Sequence, residues 1–172
     1  MTHSENAAKA IDMLRRLRGG QFDDTELDAI LEGLTEVFAA DDINSLHVPE
    51  DAGEYRKGIV ELISRIPDGW GRWISCDAGW YPLITELGTK LAAIDPNYVV
   101  HQIKEKFGTL RFYAETDAEG ERLRHFEALI AATEEKSANT CERCGRSPAE
   151  LHVSKMPPSS YGRTLCRACW RA

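Results

Sequence analysis

The chain has 172 residues, 21 Lys and Arg against 28 Asp and Glu, a formal net charge of −7, 42% apolar residues, 13 Gly and 7 Pro. That is the length of one domain, or of one domain with a small appendage, and the apolar fraction excludes a disordered chain. The acidic balance argues against a grip on nucleic acid by the whole molecule, and the longest apolar run, Ala128 to Ala132, excludes a transmembrane helix.

Met1 to Lys9 is polar and lacks the hydrophobic core of a signal peptide, so the expected location is the cytoplasm. Ser4 to Arg18 then reads as a helix, with Ser4 as N-cap, Ile11, Leu14 and Leu17 as its stripe, and Gly19-Gly20 as its stop. Asp24 to Ala40 is a second helix, through Leu27, Ile30, Leu31, Leu34 and Phe38. A polar stretch, Asp41 to Gly53, leads to a third helix, Glu54 to Ile66, stopped by Pro67-Asp68-Gly69. Trp70, Trp73, Trp80 and Tyr81 follow among glycines and predict an irregular or short extended segment. Pro82 suits the first turn of a fourth helix lined by Ile84, Leu87, Leu91 and Ile94, and Asp95-Pro96 closes it. Tyr98 to Phe107 and Leu110 to Glu115 read as a β-hairpin around Gly108, and Glu121 to Lys136 as a fifth helix.

The last 32 residues hold four of the five cysteines, as Cys141-x2-Cys144 and Cys166-x2-Cys169 with 21 residues between the pairs. Two intervening residues let both sulfurs of a tight knuckle aim at one centre, and two knuckles supply the closed thiolate set of a structural zinc ion. Gly145 fits a knuckle turn that needs positive φ. Disulfides fit a cytosolic chain with an odd cysteine poorly, and an iron–sulfur cluster is the other reading of the same ligands. The expected fold class is therefore α+β: a helical N-terminal part, a central helix and hairpin, and a C-terminal four-cysteine zinc module of ribbon or treble-clef type. The expected division is a body over 1–136 and a zinc module over 137–172.

Three groups of strings have a familiar order: Gly79-Trp80-Tyr81-Pro82-Leu83-Ile84; Lys104-Glu105-Lys106-Phe107-Gly108-Thr109-Leu110-Arg111-Phe112-Tyr113; and Ser137 ahead of Cys141-x2-Cys144-Gly145 and Leu165-Cys166-x2-Cys169. Together they resemble a family of small, uncharacterised proteins encoded by bacteriophages and bacterial genomes. The likeness covers roughly residues 70–170 and leaves the first 66 outside. It implies a zinc-binding protein of a phage or mobile-element setting and supplies no activity.

Other candidate residues carry competing readings. Strand alternation places Val99, His101, Ile103, Glu105 and Phe107 on one face of the hairpin, and Tyr98, Val100, Gln102, Lys104 and Lys106 on the other. Arg111 and Tyr113 join the outer face, which then mixes cations with rings as a single-stranded nucleic-acid platform does; an ordinary solvated face reads the same. His101 and Glu105 on the inner face, with Asp77, are the candidates for an enzyme site, although an aspartate just ahead of a helix is more commonly a turn former. Four residues along a strand span roughly 13 Å, however, so the first two are expected to pair separately. Trp70, Arg72, Trp73 and Trp80 could form a partner patch or anchor the core. Cys76 reads as a small buried residue, and His125 and His152 are not needed by a complete thiolate shell.

Residues 139–172 carry six basic residues, among them Arg163, Arg167 and Arg171, against two acidic ones, a surplus of +4 that leaves −11 for the remainder. Zinc with four thiolates adds −2, so the loaded module is about +2. Three functions follow in order. The first is a non-enzymatic zinc protein that engages a host or phage protein, such as a defence component. The second is a nucleic-acid-binding regulator using Arg163, Arg167 and Arg171 with Lys104, Lys106 and Arg111. The third is an enzyme around His101, Glu105 and Asp77.

Overall fold

The computed structural model describes residues 43–156 and 159–171, and the two N-terminal helices expected from the sequence lie outside these. Everything below belongs to the unit Ser45–Ala172. Two 3-10 turns, Glu50–Tyr55 and Ala78–Trp80, accompany four helices among the described residues. The helices are α1 (Arg56–Ile63), α2 (Tyr81–Ile94), α3 (Gly120–Ser137) and α4 (Arg167–Arg171). The strands are β1 (Ile74–Ser75), β2 (Val99–Lys106), β3 (Thr109–Glu115), β4 (Glu150–Met156) and β5 (Ser159–Leu165). The architecture is α+β, as the sequence pattern requires.

Helix α2 forms the middle of the core. Pro82 sits in its first turn, where the missing N–H is no loss. Its Leu83, Ile84, Leu87 and Leu91 are buried in one cluster with Ile59, Leu62 and Ile63 of α1. The same cluster takes in Val100, Ile103, Leu110 and Phe112 of the sheet and Phe126 of α3. Each buried aliphatic or aromatic side chain here contributes roughly 1.5–3 kcal/mol, so this cluster holds the body together.

The three-stranded sheet has the order β1-β2-β3. β1, read from sequence only as an extended segment, runs parallel to β2, with Ile74 opposite Ile103. β2 and β3 pair antiparallel, and the register slips by one residue between Val100 and Gln102. This bulge at His101 overturns the simple alternation expected along β2. On its N-terminal side Tyr98 and Val100 point inward and are buried, not outward; beyond it Ile103 is buried while Gln102 and Lys106 face solvent. Phe107, expected inside, is exposed in the turn. Tyr98 lies under the Arg65 guanidinium at 4.1 Å, edge-on to Phe126, and burial pushes its hydroxyl up to about 12.

β3 is a sheet edge, and α3 covers it. Its outward Leu110 N–H donates to Ser137 Oγ and its Phe112 N–H to Glu134 Oε1, both at 2.9 Å. Two side chains thus satisfy backbone donors that would otherwise invite another strand.

Candidate metal centre

The C-terminal segment runs knuckle, hairpin, helix. α3 ends at Ser137, and Cys141 to Gly145 form a tight turn closed by the Gly145 N–H on the Cys141 carbonyl at 2.8 Å. Gly145 has φ of +73°, the left-handed conformation expected of it. β4 and β5 then pair antiparallel, Glu150 opposite Leu165, and Cys166 follows directly into α4. The hairpin returns the second cysteine pair to the first. The sulfurs of Cys141, Cys144, Cys166 and Cys169 lie within 4.8 Å of one another, with Cys144 and Cys166 3.6 Å apart. The four cysteines could hold a metal ion, and they form the one such cluster found among the described residues.

Their electrostatics fit a cation. The backbone N–H of Cys169 holds the Cys166 thiol down at about 6, whereas its hydrogen bond to Cys144 pushes Cys169 up to about 12. Sulfurs this close share their protons as a set, and all four ionise together only with a positive charge between them.

The knuckle is fastened to the body along one line. Gly79 N–H donates to the Glu142 carbonyl at 2.7 Å, and Trp80 Nε1 to the Thr140 carbonyl at 2.8 Å. A Cβ on Gly79 would fall within 3.0 Å of Cys141, Glu142 and Gly145 backbone atoms, so only glycine permits this approach. Trp80, a candidate for a partner patch, is instead fully buried as the body's anchor for the knuckle. Its indole N–H is satisfied there, which explains how so large a polar-tipped ring can be enclosed.

Asp77 and Arg163, placed by sequence in an enzyme site and a nucleic-acid site, meet each other. Arg163 pairs through Nη2 with Asp77 and through Nε with Glu142 Oε2 at 3.3 Å. Burial pushes the Glu142 carboxyl up, and Arg163 opposes that shift. One guanidinium thus faces two carboxylates at the module's seam with the body, so its charge is already engaged. Sequence reading missed Glu142, whose signal was a lone acid inside a cysteine knuckle.

The remaining candidates separate. His101 Nε2 lies 3.1 Å from Glu115 Oε2, with the Trp70 ring 4.8 Å from its own. Glu105 accepts the Gly108 N–H at the hairpin turn, so His101, Glu105 and Asp77 each have a partner of their own and do not converge. Cys76 is partly buried against the main core, and burial raises its thiol. His152 stacks on Trp170 at 4.2 Å, and His125 is exposed on α3. Arg167 and Arg171 are exposed on α4. Trp70 and Trp73 are 59% and 42% exposed, while Arg72 between them binds Asp68 and the Ile66 carbonyl. Lys104, Lys106 and Arg111 share the solvent face of the β2–β3 hairpin.

Comparisons with family models, with curated proteins and with solved structures found no match to this chain.

Proposed function

We propose that this chain is a non-enzymatic interaction protein of phage or mobile-element type, held by one structural zinc ion at Cys141, Cys144, Cys166 and Cys169. The observation that carries the reading is the closed set of four sulfurs. At a Zn–S distance of about 2.3 Å a tetrahedral site has edges of roughly 3.8 Å, close to the 3.6 Å between Cys144 and Cys166. Four thiolates complete the shell and leave no position for substrate or attacking water, so the ion serves structure. The order of knuckle, hairpin and helix is that of a treble clef, and the resemblance to small phage and bacterial zinc proteins supports the setting.

The protein partner would dock on Trp70 and Trp73, exposed rings of the type that dominate interface energetics. The rival use of the basic tail loses Arg163, whose charge is already paired.

Elemental analysis of purified protein should give one zinc per chain, lost from Cys144→Ser and Cys166→Ser together with a lowered melting temperature. Variants that keep full zinc and an unchanged melt would refute the metal reading. A partner captured from phage-infected cells should be lost with Trp70→Ala/Trp73→Ala at unchanged zinc content. Undiminished capture of that partner would remove the docking assignment.

A further inference from the structure

The hairpin of β2 and β3 keeps three unfavourable features on its solvent face and turn. Lys104 stands directly opposite Arg111 in the register, and like charges facing each other across an antiparallel pair weaken it. Glu134, 3.8 Å from Arg111, relieves part of this, while Lys104 and Lys106 form no ion pair among the described residues. The turn is the second feature. Phe107 and Gly108 have φ of +55° and +78°, the two-residue turn in which Asn or Asp usually stands first. A phenylalanine there is strained, and at 72% exposure burial gives no compensation. Third, the Tyr113 ring is 41% exposed on the strand face.

Each feature has the same use. Lys104 and Lys106 lie two residues apart on β2, about 6.8 Å along the strand, with Arg111 beside them. Lys104 Nζ sits 5.6 Å from the Tyr113 ring centre and Lys106 Nζ 5.7 Å from that of Phe107. Lys104 thus stands beside a ring on the strand face and Lys106 beside one at the turn, and cations next to exposed rings are how sheets hold phosphates while bases stack. We propose that the solvent face and turn of the β2–β3 hairpin, through Lys104, Lys106, Tyr113 and Phe107, are a binding site for single-stranded nucleic acid. A duplex hides its bases and would leave the rings idle; an acidic protein segment would use the cations alone. The site involves neither the metal ligands nor Trp70 and Trp73, and so stands apart from the function proposed above.

The test is fluorescence anisotropy of the metal-loaded full chain with labelled oligo(dT) and oligo(U) of about 12 nucleotides, a length such platforms span. Two phosphate contacts, at Lys104 and Lys106, predict a slope of about −1.4 in log affinity against log salt, and Lys104→Gln/Lys106→Gln should flatten it almost to zero. Tyr113→Ala should weaken binding roughly 5- to 150-fold, while Tyr113→Phe and Arg167→Ala/Arg171→Ala should leave it intact. Phe107→Asn should raise the melting temperature, by relieving the turn, and still weaken binding. A purely structural role for Phe107 predicts loss of both or of neither. No binding at low salt would overturn the proposal. So would duplex bound as tightly as single strand, or displacement by polyglutamate together with an inert Tyr113→Ala, which would assign the face to an acidic protein.

Discussion

Gly79→Ala, 62 residues before the first metal-site cysteine, should weaken the metal centre. The added methyl would meet the carbonyl oxygens of Cys141 and Glu142 and the Gly145 nitrogen, all closer than 3.0 Å. All three are backbone atoms, so no rotamer change makes room. Either the knuckle or the start of α2 must move, at the roughly 1–3 kcal/mol typical of overpacking. The same movement stretches the 2.7 Å bond from Gly79 N–H to the Glu142 carbonyl, worth about 0.5–1.5 kcal/mol. The combined loss is about 2–4 kcal/mol, or roughly 8–16 °C in melting temperature at about 4 °C per kcal/mol for a unit of this size. Thermal melts of metal-loaded protein would measure the first effect. Zinc transfer to a chromogenic chelator would measure the second, and release should accelerate. A variant with unchanged melt and unchanged release would refute the claim that body and knuckle are locked at Gly79.

Two further substitutions separate structural from functional charge. Arg163→Ala leaves Glu142, whose side chain is 4% exposed, without its cation, and should cost about 2–4 kcal/mol by chemical denaturation. Adding Glu142→Gln should recover part of this, and a stable Arg163→Ala protein with weakened nucleic-acid binding would return the arginine to the basic-tail reading. Asp95 accepts hydrogen bonds from Thr116 Oγ1 and the Asn97 N–H, which hold its carboxyl below the usual value of 3.8. Because the folded value is depressed, its stabilising contribution is full above the unfolded value and is lost as pH falls through the lower folded one. An NMR titration should therefore place Asp95 below 3.8 and move it upward in Thr116→Val; an unmoved midpoint would contradict this assignment.

Elements written in a local pattern were readable in advance. Helix α2 follows from Pro82 and the spacing of Ile84, Leu87 and Leu91, and the cysteine spacing alone foretold that four sulfurs would meet. What escaped depended on distant partners. The bulge at His101 adds one residue to β2 and exchanges the faces of everything before it, so a strict period of two misplaced Tyr98 and Val100. Asp77 read as a turn former or enzyme-site candidate and Arg163 as a candidate phosphate contact, because nothing local announces that these residues, 86 apart, pair with each other. Trp80 was ambiguous for a related reason. Composition says that a tryptophan is large and apolar, but only the Thr140 carbonyl lets it be buried without an orphaned N–H. Ser137 gave a faint signal, a lone serine ahead of a cysteine knuckle, whose role as acceptor for the β3 edge needed the fold to be seen.

The fastening of the C-terminal module also bears on how its parts depend on one another. Its own buried cluster is Cys141, Ala149, Leu165 and Cys166, with Cys169 packed against it, too little apolar surface to hold a segment of this length. Two other sources of order are present: the thiolate centre, and the bonds to the body at Gly79, Trp80 and Gly108. The last matters most for the hairpin. Thr164 Oγ1 donates to the Gly108 carbonyl, and Leu151 lies against the same turn, so β4 and β5 support the Phe107–Gly108 turn from below. A strained turn keeps its geometry only while its surroundings over-determine it. A metal bound there, by holding β5 through Cys166, would therefore steady a face that none of its ligands touches. It would preorganise the proposed nucleic-acid face without entering it, which is why that face must be assayed in metal-loaded protein.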